Sequence, residues 1–561
     1  MKKVLIVGCG LSGLTAAIRS AELGHHVTLI APMPSEYTQS VMAMGGINAA
    51  LNTKGENDSP GEHFAETMSG GCYLGDPAAV KSLTDNAPET VMWLWRNGVN
   101  FNLDKNGKPD LRLFGGQSKR RTAYGGTRSG KLIVSALSAL CRRYEAERRV
   151  ERRTGMYFLS LALDAAGVSM GVVAYDKRKA HIEVFPSDAV ILASGAPNHV
   201  YGKTSGSVVN DGSVTGLTMT QGMECANLEM VQYHPTTIET GGKRMLISEA
   251  ARSHGGKLYT IRNGEKWHFM DEWYPGRGDL MPRDVVSRCI YKVCDEMNLG
   301  IDGKKHVYLD LTEVPGRVFK ESLDEVTETC AKFLRIDPRV SPIPVYPGVH
   351  YFMGGIKTDA KHRTNIGRVF AAGECSAQYH GANRLGGNSI LGAVFGGITA
   401  AETASDECDA MPEQDKREAC GVALTFHERA LHDWTDKRSI SAHQSSAVLK
   451  RKIAGIMNEN MGIYRNGRDL SAGIEKVREL RSICAGIGPA EDYYQYISVS
   501  SASIVAEAML MSALERKESR GAHQRTDFTE TDDERFRKTT VATVREGRVQ
   551  IQFQSIPEVS Q

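Results

Sequence analysis

The sequence predicts an α/β protein: a Rossmann-like dinucleotide-binding domain interrupted by a second domain, with a helical region near the C-terminus. Three observations predict this fold class. A βαβ unit with a glycine-rich turn opens the chain, a similar strand and turn return only near residue 370, and residues 402–517 are mostly amphipathic helix. The chain has 561 residues, more than the roughly 300 at which a single core stops growing, so several domains are expected.

The predicted βαβ unit occupies the first 30 residues. A β-branched run at 3–7, a stretch with helical apolar spacing at 14–23 and a second β-branched run at 26–30 follow one another. The turn before the helix carries G-x-G-x-x-G at Gly8, Gly10 and Gly13. Without side chains there, backbone N–H groups and the helix N-terminus can approach a pyrophosphate. The second strand ends at Ala31 with no acidic residue, so the adenosine ribose must be held by other groups.

Later glycine-rich segments extend this predicted cofactor site. Gly45 and Gly46 lie in a loop of small residues, and Ser194 and Gly195 follow a predicted buried strand. A further strand ends in Gly-Glu at Glu374, where a carboxylate suits a second ribose or a ribityl chain. We expect these turns to lie beside the first one.

Composition excludes several classes of function. The 68 Lys+Arg and 66 Asp+Glu leave a net charge of +2, which gives no general attraction for nucleic acid. The eleven cysteines are scattered and form no C-x-x-C pair, so neither a zinc site nor an iron-sulfur cluster is expected in this chain. Metal redox chemistry would need a partner.

We expect the chain to be cytoplasmic. Glycines break the apolar N-terminal run within a few residues, so it lacks the apolar core and cleavage site of a signal peptide. Scattered cysteines in odd number fit a reducing compartment. No apolar stretch of 18 residues is expected, and the nearest candidate, residues 389–404, is shorter and interrupted by glycines.

Three groups of segments concentrate side chains that suit a small dicarboxylate. They are QYHPT at 232–236 with SEAAR at 248–252, MPRD at 281–284, and HYFMGG at 350–355 with GANRLGGNS at 381–389. Taken singly, each has an ordinary structural explanation as a helical ion pair, a surface cation or a structural histidine. Together, two histidines and three arginines beside a dinucleotide site provide bidentate and charge-assisted carboxylate binding.

Eight motifs occur in the order seen in one family. They are the N-terminal G-x-G-x-x-G, then YHPT, SEAAR, PRD, HYFMGG, AAGE, ANRLGGNS, and KESRGAHQR at 517–525. In this the chain resembles the flavoprotein subunit of fumarate reductase and succinate dehydrogenase over nearly its whole length. The resemblance implies a Rossmann-like FAD-binding domain (1–227 and 348–405), an inserted α+β capping domain (228–347), a helical domain (406–517) and a C-terminal tail (518–561). The tail is rich in charged residues, and its pattern at 549–553 predicts one strand.

The resemblance also implies roles for individual residues. His234, Ser248, His350 and Arg384 would bind fumarate or succinate, with Ser248 standing where the family usually has threonine. Arg283 would donate a proton to the alkene, and Glu249 with Arg252 would reprotonate it. The expected FAD contacts are Gly8, Gly10, Gly13, Gly45, Gly46, Ser194, Gly195, Asp211, Glu374, Arg384, Asn388 and Ser389.

One position departs from the membrane-bound members, which carry a histidine that bonds covalently to FAD. Gln39 stands there, six residues before Gly45, and an amide is a poor nucleophile. We therefore expect non-covalent FAD and a chain that works mainly as a fumarate reductase, as in anaerobic respiration. The resemblance implies an iron-sulfur subunit as partner. It also allows a membrane anchor or another electron-donor subunit, with the chain peripheral at the cytoplasmic membrane.

Other interpretations remain open. L-aspartate oxidase shares most motifs, works alone and holds FAD non-covalently, but that family usually has cysteine where Met353 stands and lacks the RGAHQR segment. A catalytically inactive flavoprotein acting in assembly or electron relay is a second alternative, disfavoured by the retained Arg283, Glu249 and Arg252. A nicotinamide enzyme is a third, disfavoured because the segment ending at Glu374 fits a flavin-sized ligand.

Overall fold

The computed structural model describes residues 1–126, 128–410, 415–436, 445–484 and 492–557. Its strands are β1 (Lys3–Val7), β2 (His26–Ala31), β3 (Ile47–Asn48), β4 (Leu111–Arg112), β5 (Thr122–Ala123), β6 (Val150–Thr154), β7 (Met156–Leu163), β8 (Ser169–Asp176), β9 (His181–Pro186), β10 (Ala189–Leu192), β11 (Cys225–Ala226), β12 (Val231–Glu239), β13 (Arg244–Leu246), β14 (Lys257–Arg262), β15 (Glu265–Trp267), β16 (Val307–Asp310), β17 (Ile343–Phe352), β18 (Gly355–Ile356), β19 (Val369–Ala371), β20 (Tyr464–Arg465), β21 (Gln524–Arg525), β22 (Lys538–Arg545) and β23 (Arg548–Ser555).

The α-helices are α1 (Leu11–Glu22), α2 (Pro60–Gly70), α3 (Pro77–Asp85), α4 (Ala87–Arg96), α5 (Ser129–Ala146), α6 (Ser213–Thr220), α7 (Ala250–Ser253), α8 (Phe269–Trp273), α9 (Arg283–Tyr291), α10 (Gly316–Glu321), α11 (Asp324–Thr329), α12 (Asn388–Ala410), α13 (Arg417–Asp436), α14 (Ser446–Asn460), α15 (Gly467–Cys484), α16 (Tyr493–Glu515) and α17 (Asp533–Phe536). Parts of the predicted helical domain and tail, at 411–414, 437–444, 485–491 and 558–561, lie outside the described residues.

A five-stranded parallel sheet in the order β19-β10-β1-β2-β6 forms the centre of the first domain. Strands β1 and β10 are aliphatic and almost entirely buried, because helices α1 and α12 pack on one face of the sheet and the strands β7 to β9 pack on the other. The predicted first strand coincides with β1. Helix α1 begins three residues earlier than predicted, because Gly10 is extended and serves as its N-cap.

The inserted domain is built on a second sheet, β13-β12-β17-β16-β14-β15, whose strand pairs are antiparallel. Helices α8 to α11 pack on it and share a separate hydrophobic core that includes Phe269, Ile290 and Leu309. Strands β12 and β17 also contribute Val231, Val349 and Phe352 to a core of the other domains. These two paired strands therefore join the inserted domain to the rest of the chain.

The C-terminal segment differs from the predicted charged tail with one strand at 549–553. Strands β22 and β23 form a hairpin, and β22 pairs with β11 in the four-stranded sheet β18-β11-β22-β23. At its start, charged side chains are buried in ion pairs: Arg516 contacts Glu229 at 2.7 Å and Glu518 at 2.9 Å, with all three side chains fully buried. Most other charged residues of the segment are exposed, so only the first part of the charge pattern belongs to an internal network.

Helix α16 corrects the expectation that no long apolar segment occurs. By length and composition alone it is apolar enough to cross a membrane, with a mean hydropathy of 1.6 over its best window. However, 83% of that window is buried inside the protein, as in the core helix of a globular domain. Glu507 in its middle pairs with Arg478 at 2.7 Å and Arg481 at 2.5 Å on α15.

Candidate active site

A single cavity runs along the carboxyl edge of the parallel sheet and continues to the inserted domain. All four predicted substrate ligands line it, as do Glu249 and Arg283. Of the predicted cofactor residues, those that line it are Gly8, Gly10, Gly45, Gly46, Ser194, Gly195, Asp211, Glu374, Arg384 and Ser389. Gly13, Arg252 and Asn388 do not line it.

The end of the cavity at the first turn fits a pyrophosphate. Gly8 has φ +112°, and a Cβ there would lie 2.2 Å from the carbonyl oxygen of Ala193. A Cβ on Gly13 would lie 1.9 Å from the carbonyl oxygen of Gly8, so Gly13 acts through close packing of α1 on the turn. The first turn of α1 carries no acidic residue, which leaves the positive end of the helix dipole to an anion.

Two carboxylates line the same part of the cavity. Glu374 Oε1 accepts a 3.2 Å hydrogen bond from the backbone N–H of Phe352, and burial raises the pKa of Glu374 to about 7. Asp211 Oδ1 accepts from the N–H and the hydroxyl of Ser213 at 3.0 and 2.6 Å. Both can accept ribose or ribityl hydroxyls. At the end of β2, where an acidic residue is missing, Pro32 and Met33 line the cavity.

Asn388, expected to contact the cofactor, makes buried contacts behind the cavity wall. Its Oδ1 accepts from Asn48 Nδ2 at 2.7 Å and lies 2.9 Å from His63 Nε2, and its Nδ2 donates to Thr67 at 3.0 Å. These bonds hold the turn that carries Ser389, which does line the cavity.

His234 and His350 meet because β12 and β17 are paired irregularly. Gln232 pairs with Tyr351 and Tyr233 with Val349, so His350 is an extra residue on β17, as in a β-bulge. The two imidazole rings pack edge to face with centroids 5.1 Å apart. The bulge thus brings both predicted substrate ligands to one wall of the cavity.

Both histidines are held neutral. Burial lowers the pKa of each well below its ordinary value, and the nearby Arg283 guanidinium lowers both further. The backbone N–H of Thr236 donates to His234 Nδ1 at 3.3 Å, so the proton of the neutral ring lies on Nε2. That Nε2 is buried and has no hydrogen-bond partner among the described residues. His234 therefore offers a ligand one N–H donor.

Arg283 is fixed by Glu249. It is the first residue of α9, after Pro282, so the helix dipole adds to its positive charge. Its Nε and Nη2 both donate to Glu249 Oε2, at 2.8 and 2.6 Å, and its Nη1 lies 3.3 Å from Gln232 Oε1. Burial would raise the pKa of Glu249, but Arg283 and Arg252 hold it below its usual value.

Arg252 lies behind Glu249, with Nη2 3.7 Å from Glu249 Oε1 and a fully buried side chain. Its Nη1 donates to the carbonyl of Asp279. The order Arg283, Glu249, Arg252 therefore leads away from the cavity, as expected for a proton relay.

Arg384 completes the cationic wall. Its guanidinium lies over the Tyr351 ring at 4.0 Å, and its Nη2 donates to Gln232 Oε1 at 3.1 Å. Burial and the neighbouring Arg283 lower the pKa of Arg384 to about 10. Gln232 thus bridges both arginines. Gln232 lies in the QYHPT segment that the sequence singles out, but no role of its own was predicted for it.

Ser248 lies at the start of α7, where its Oγ accepts from the N–H of Ala250 at 3.3 Å. With both histidines neutral, the cationic donors at this wall are Arg283 and Arg384, with Arg252 behind Glu249. Two guanidinium groups and neutral ring donors on one wall suit a dicarboxylate.

Comparisons with known proteins agree with this site. A family model described as an FAD binding domain matches residues 3–390, and one described as the fumarate reductase flavoprotein C-terminus matches residues 450–559. The succinate dehydrogenase flavoprotein subunit of Bacillus subtilis is 37% identical over 547 residues, which cover 96% of this chain and 93% of that protein. The fumarate reductase flavoprotein subunit of Mycobacterium tuberculosis is 31% identical over 560 residues, which cover 95% of this chain and 93% of that protein.

A mutant of the quinol fumarate reductase of E. coli superposes with a TM-score of 0.92 at 28% identity, covering 100% of this chain and 98% of that one. The fold class predicted from sequence, including the FAD-binding and helical domains, is confirmed by these matches. The chain belongs to the family of succinate dehydrogenase and fumarate reductase flavoprotein subunits.

Proposed function

We propose that this chain interconverts fumarate and succinate, working mainly as a fumarate reductase. The observation that carries the proposal is the buried cluster of Arg283, Arg384, Arg252 and Glu249. It lies beside two neutral histidines, on a cavity continuous with the pyrophosphate turn. Family membership supports the same reaction.

The substrate ligands bind and orient the two carboxylates. Arg384 supplies a charged, planar donor, and His234 supplies an N–H from a neutral ring. His350, on the neighbouring strand β17, and Ser248, just before α7, complete the set of substrate ligands. Burial of the donors strengthens each bond because little water competes for the carboxylates.

FAD, when bound, would supply the hydride for one alkene carbon, and Arg283 is placed to donate a proton to the other. Arginine holds its proton firmly, so its loss must be brief. One feature favours that transfer: Glu249 is hydrogen-bonded to Arg283, so it can return the proton at once. Arg252, behind Glu249, is the next proton source.

We further propose that FAD is bound without a covalent bond. Gln39 lines the cavity, and its Nε2 lies 3.5 Å from the carbonyl of Ser205. An amide nitrogen is too weak a nucleophile to replace the histidine of other members. The loss of a ring nitrogen bonded to the flavin lowers the flavin potential, and a two-electron shift of about 30 mV changes the equilibrium tenfold. This favours fumarate reduction.

An iron-sulfur subunit is the proposed electron partner, because no group of three or more His, Cys, Asp or Glu among the described residues could hold a metal. The chain would then act as a cytoplasmic subunit, peripheral at the membrane through its partners. Relatives named quinol fumarate reductase are consistent with that arrangement.

The test is fumarate reduction by the FAD-loaded chain with a reduced viologen dye as electron donor. We expect fumarate-dependent dye oxidation and no oxidation of L-aspartate. Aspartate oxidation without fumarate reduction would instead identify an L-aspartate oxidase. FAD and dicarboxylate binding without any turnover would identify a catalytically inactive flavoprotein.

A further inference from the structure

Ser205 lies between the cavity and the backbone of β17. Its Oγ is 2.8 Å from His350 Nδ1, and its side chain is almost fully buried. Both residues line the cavity. The backbone N–H of Ser205 donates to the carbonyl of Val349 at 3.0 Å, which fixes the serine beside the bulge that presents His350.

The direction of the hydrogen bond between Ser205 and His350 follows from the acceptors nearby. The hydroxyl can donate to His350 Nδ1 at 2.8 Å or to the Val349 carbonyl at 3.3 Å. The nitrogen is the nearer of the two and lies at the distance of a good hydrogen bond, so it is the better acceptor. A hydroxyl that donates to Nδ1 requires the proton of the neutral ring to lie on Nε2.

The location of this proton decides what His350 can offer a carboxylate. With the proton on Nε2, the ring donates a hydrogen bond; with the proton on Nδ1, a lone pair would face the anion. The charged and titratable neighbours of His350 are Arg283, Arg384 and the neutral His234, and the two arginines disfavour an imidazolium, which would otherwise donate from both nitrogens.

The two histidines are therefore set differently. A backbone N–H, which can only donate, fixes the proton of His234. For His350 the partner is a hydroxyl, which can donate or accept. Of the two groups that contact the Nδ1 atoms in this way, the backbone N–H cannot be removed by a side-chain substitution, whereas the hydroxyl of Ser205 can.

We propose that Ser205 is a positioning residue for dicarboxylate binding: its hydroxyl donates to Nδ1 of His350 and keeps the ring proton on Nε2, from which it is donated to a substrate carboxylate. The inference rests on the proposed function. It assigns Ser205 a role that acts through His350 and requires no contact of its own with the substrate.

The test measures malonate binding to the FAD-loaded full chain by calorimetry. Ser205→Ala should raise the Kd about fivefold, and Ser205→Thr, which keeps the hydroxyl, should restore it to within about twofold. Thr204→Val is the matched control, since it removes a neighbouring hydroxyl that accepts from the Gly206 N–H. Its Kd should stay within twofold of the wild-type value.

A double-mutant cycle separates positioning from general damage to the loop. His350→Gln offers an amide donor that needs no tautomer, so Ser205→Ala should have no further effect on the Kd in that background. An equal loss in both backgrounds would overturn the proposal. So would ¹⁵N spectra of the malonate-bound wild type that put the ring proton of His350 on Nδ1.

The outcomes also separate this inference from the proposed function. A wild-type chain that binds no malonate would refute both. Equal malonate affinity of the wild type and Ser205→Ala, with fumarate reduction intact, would refute the role of Ser205 alone.

Discussion

Replacing Arg283 with glutamine should remove fumarate reduction and leave FAD bound. Arg283 lies in the inserted domain at the first position of α9, whereas the pyrophosphate turn lies at the N-terminus of α1. Glutamine retains an amide that can bond Glu249, but it has no proton acidic enough to give to a carbon. The substitution therefore removes the proposed acid and a positive charge together.

The expected loss can be worked out from these two contributions. A positioned general acid contributes about 10²–10⁴-fold, and one fixed donor to developing charge about 10²–10³-fold. Because one guanidinium supplies both, we expect kcat to fall at least about 10³-fold, or about 4 kcal/mol of barrier. Glu249, only 3% exposed, also loses two short hydrogen bonds, and breaking such a buried pair costs about 3–5 kcal/mol of stability.

The assay compares viologen-driven fumarate reduction, flavin absorbance per chain and thermal unfolding in the same preparations. Arg262→Gln is the matched control: it breaks a 2.9 Å ion pair with Glu272 at the exposed surface of the same domain and should keep near-normal activity. If Arg283→Gln retained a tenth or more of the activity with FAD bound, the loss would be under about 1.4 kcal/mol and another group must be the acid.

Four other outcomes are expected. Acid precipitation should release the flavin into the supernatant, since Gln39 forms no covalent bond; flavin fluorescence on the denatured polypeptide would contradict this. With artificial dyes, fumarate reduction should be faster than succinate oxidation, and equal rates would refute the direction inferred from Gln39. NADH should not rapidly reduce the isolated chain, because electrons are expected to arrive through an iron-sulfur partner. Rapid reduction by NADH would show that the chain does not need that partner. Burial lowers the pKa of His427 to about 4, so the stability that is fully present above pH 6.5 is lost as the pH falls toward 4. Between pH 8 and pH 5 the wild type should lose about 2 kcal/mol of unfolding free energy that His427→Gln does not lose. The same pH dependence of unfolding in both chains would show that His427 does not contribute.

Much of the fold could be predicted from local patterns. The first βαβ unit, the meander of β7 to β9 and the return of the parallel sheet at β19 all follow from apolar runs and glycine turns. The C-terminal hairpin could not, because charge normally indicates solvent exposure. Arg516 is buried because it pairs with Glu518 and also with Glu229, nearly 300 residues away in sequence. Such long-range compensation has no local signature.

The candidate site was predicted less evenly. The sequence supplied the residues that carry unusual chemistry, such as Arg283 and Glu249, because their motifs are distinctive. It did not supply Gln232 or Ser205, whose importance depends on which side chain each one faces. The bulge at His350 could not be predicted from the sequence either, since it arises from the pairing of two strands more than 100 residues apart.

The position of the site explains why two domains are needed. Arg283, Glu249 and Arg252 belong to the inserted domain, Arg384 follows the parallel sheet, and the two histidines lie on the strands that join them. The positive charges of the two domains repel each other, and a dianion bound between them attracts the arginines of both domains. Arg283 belongs both to the cationic cluster that favours a dicarboxylate and to the proposed proton path through Glu249. Substrate binding and proton donation therefore depend on the same cluster, and a substitution that removes the charge of Arg283 should weaken both together.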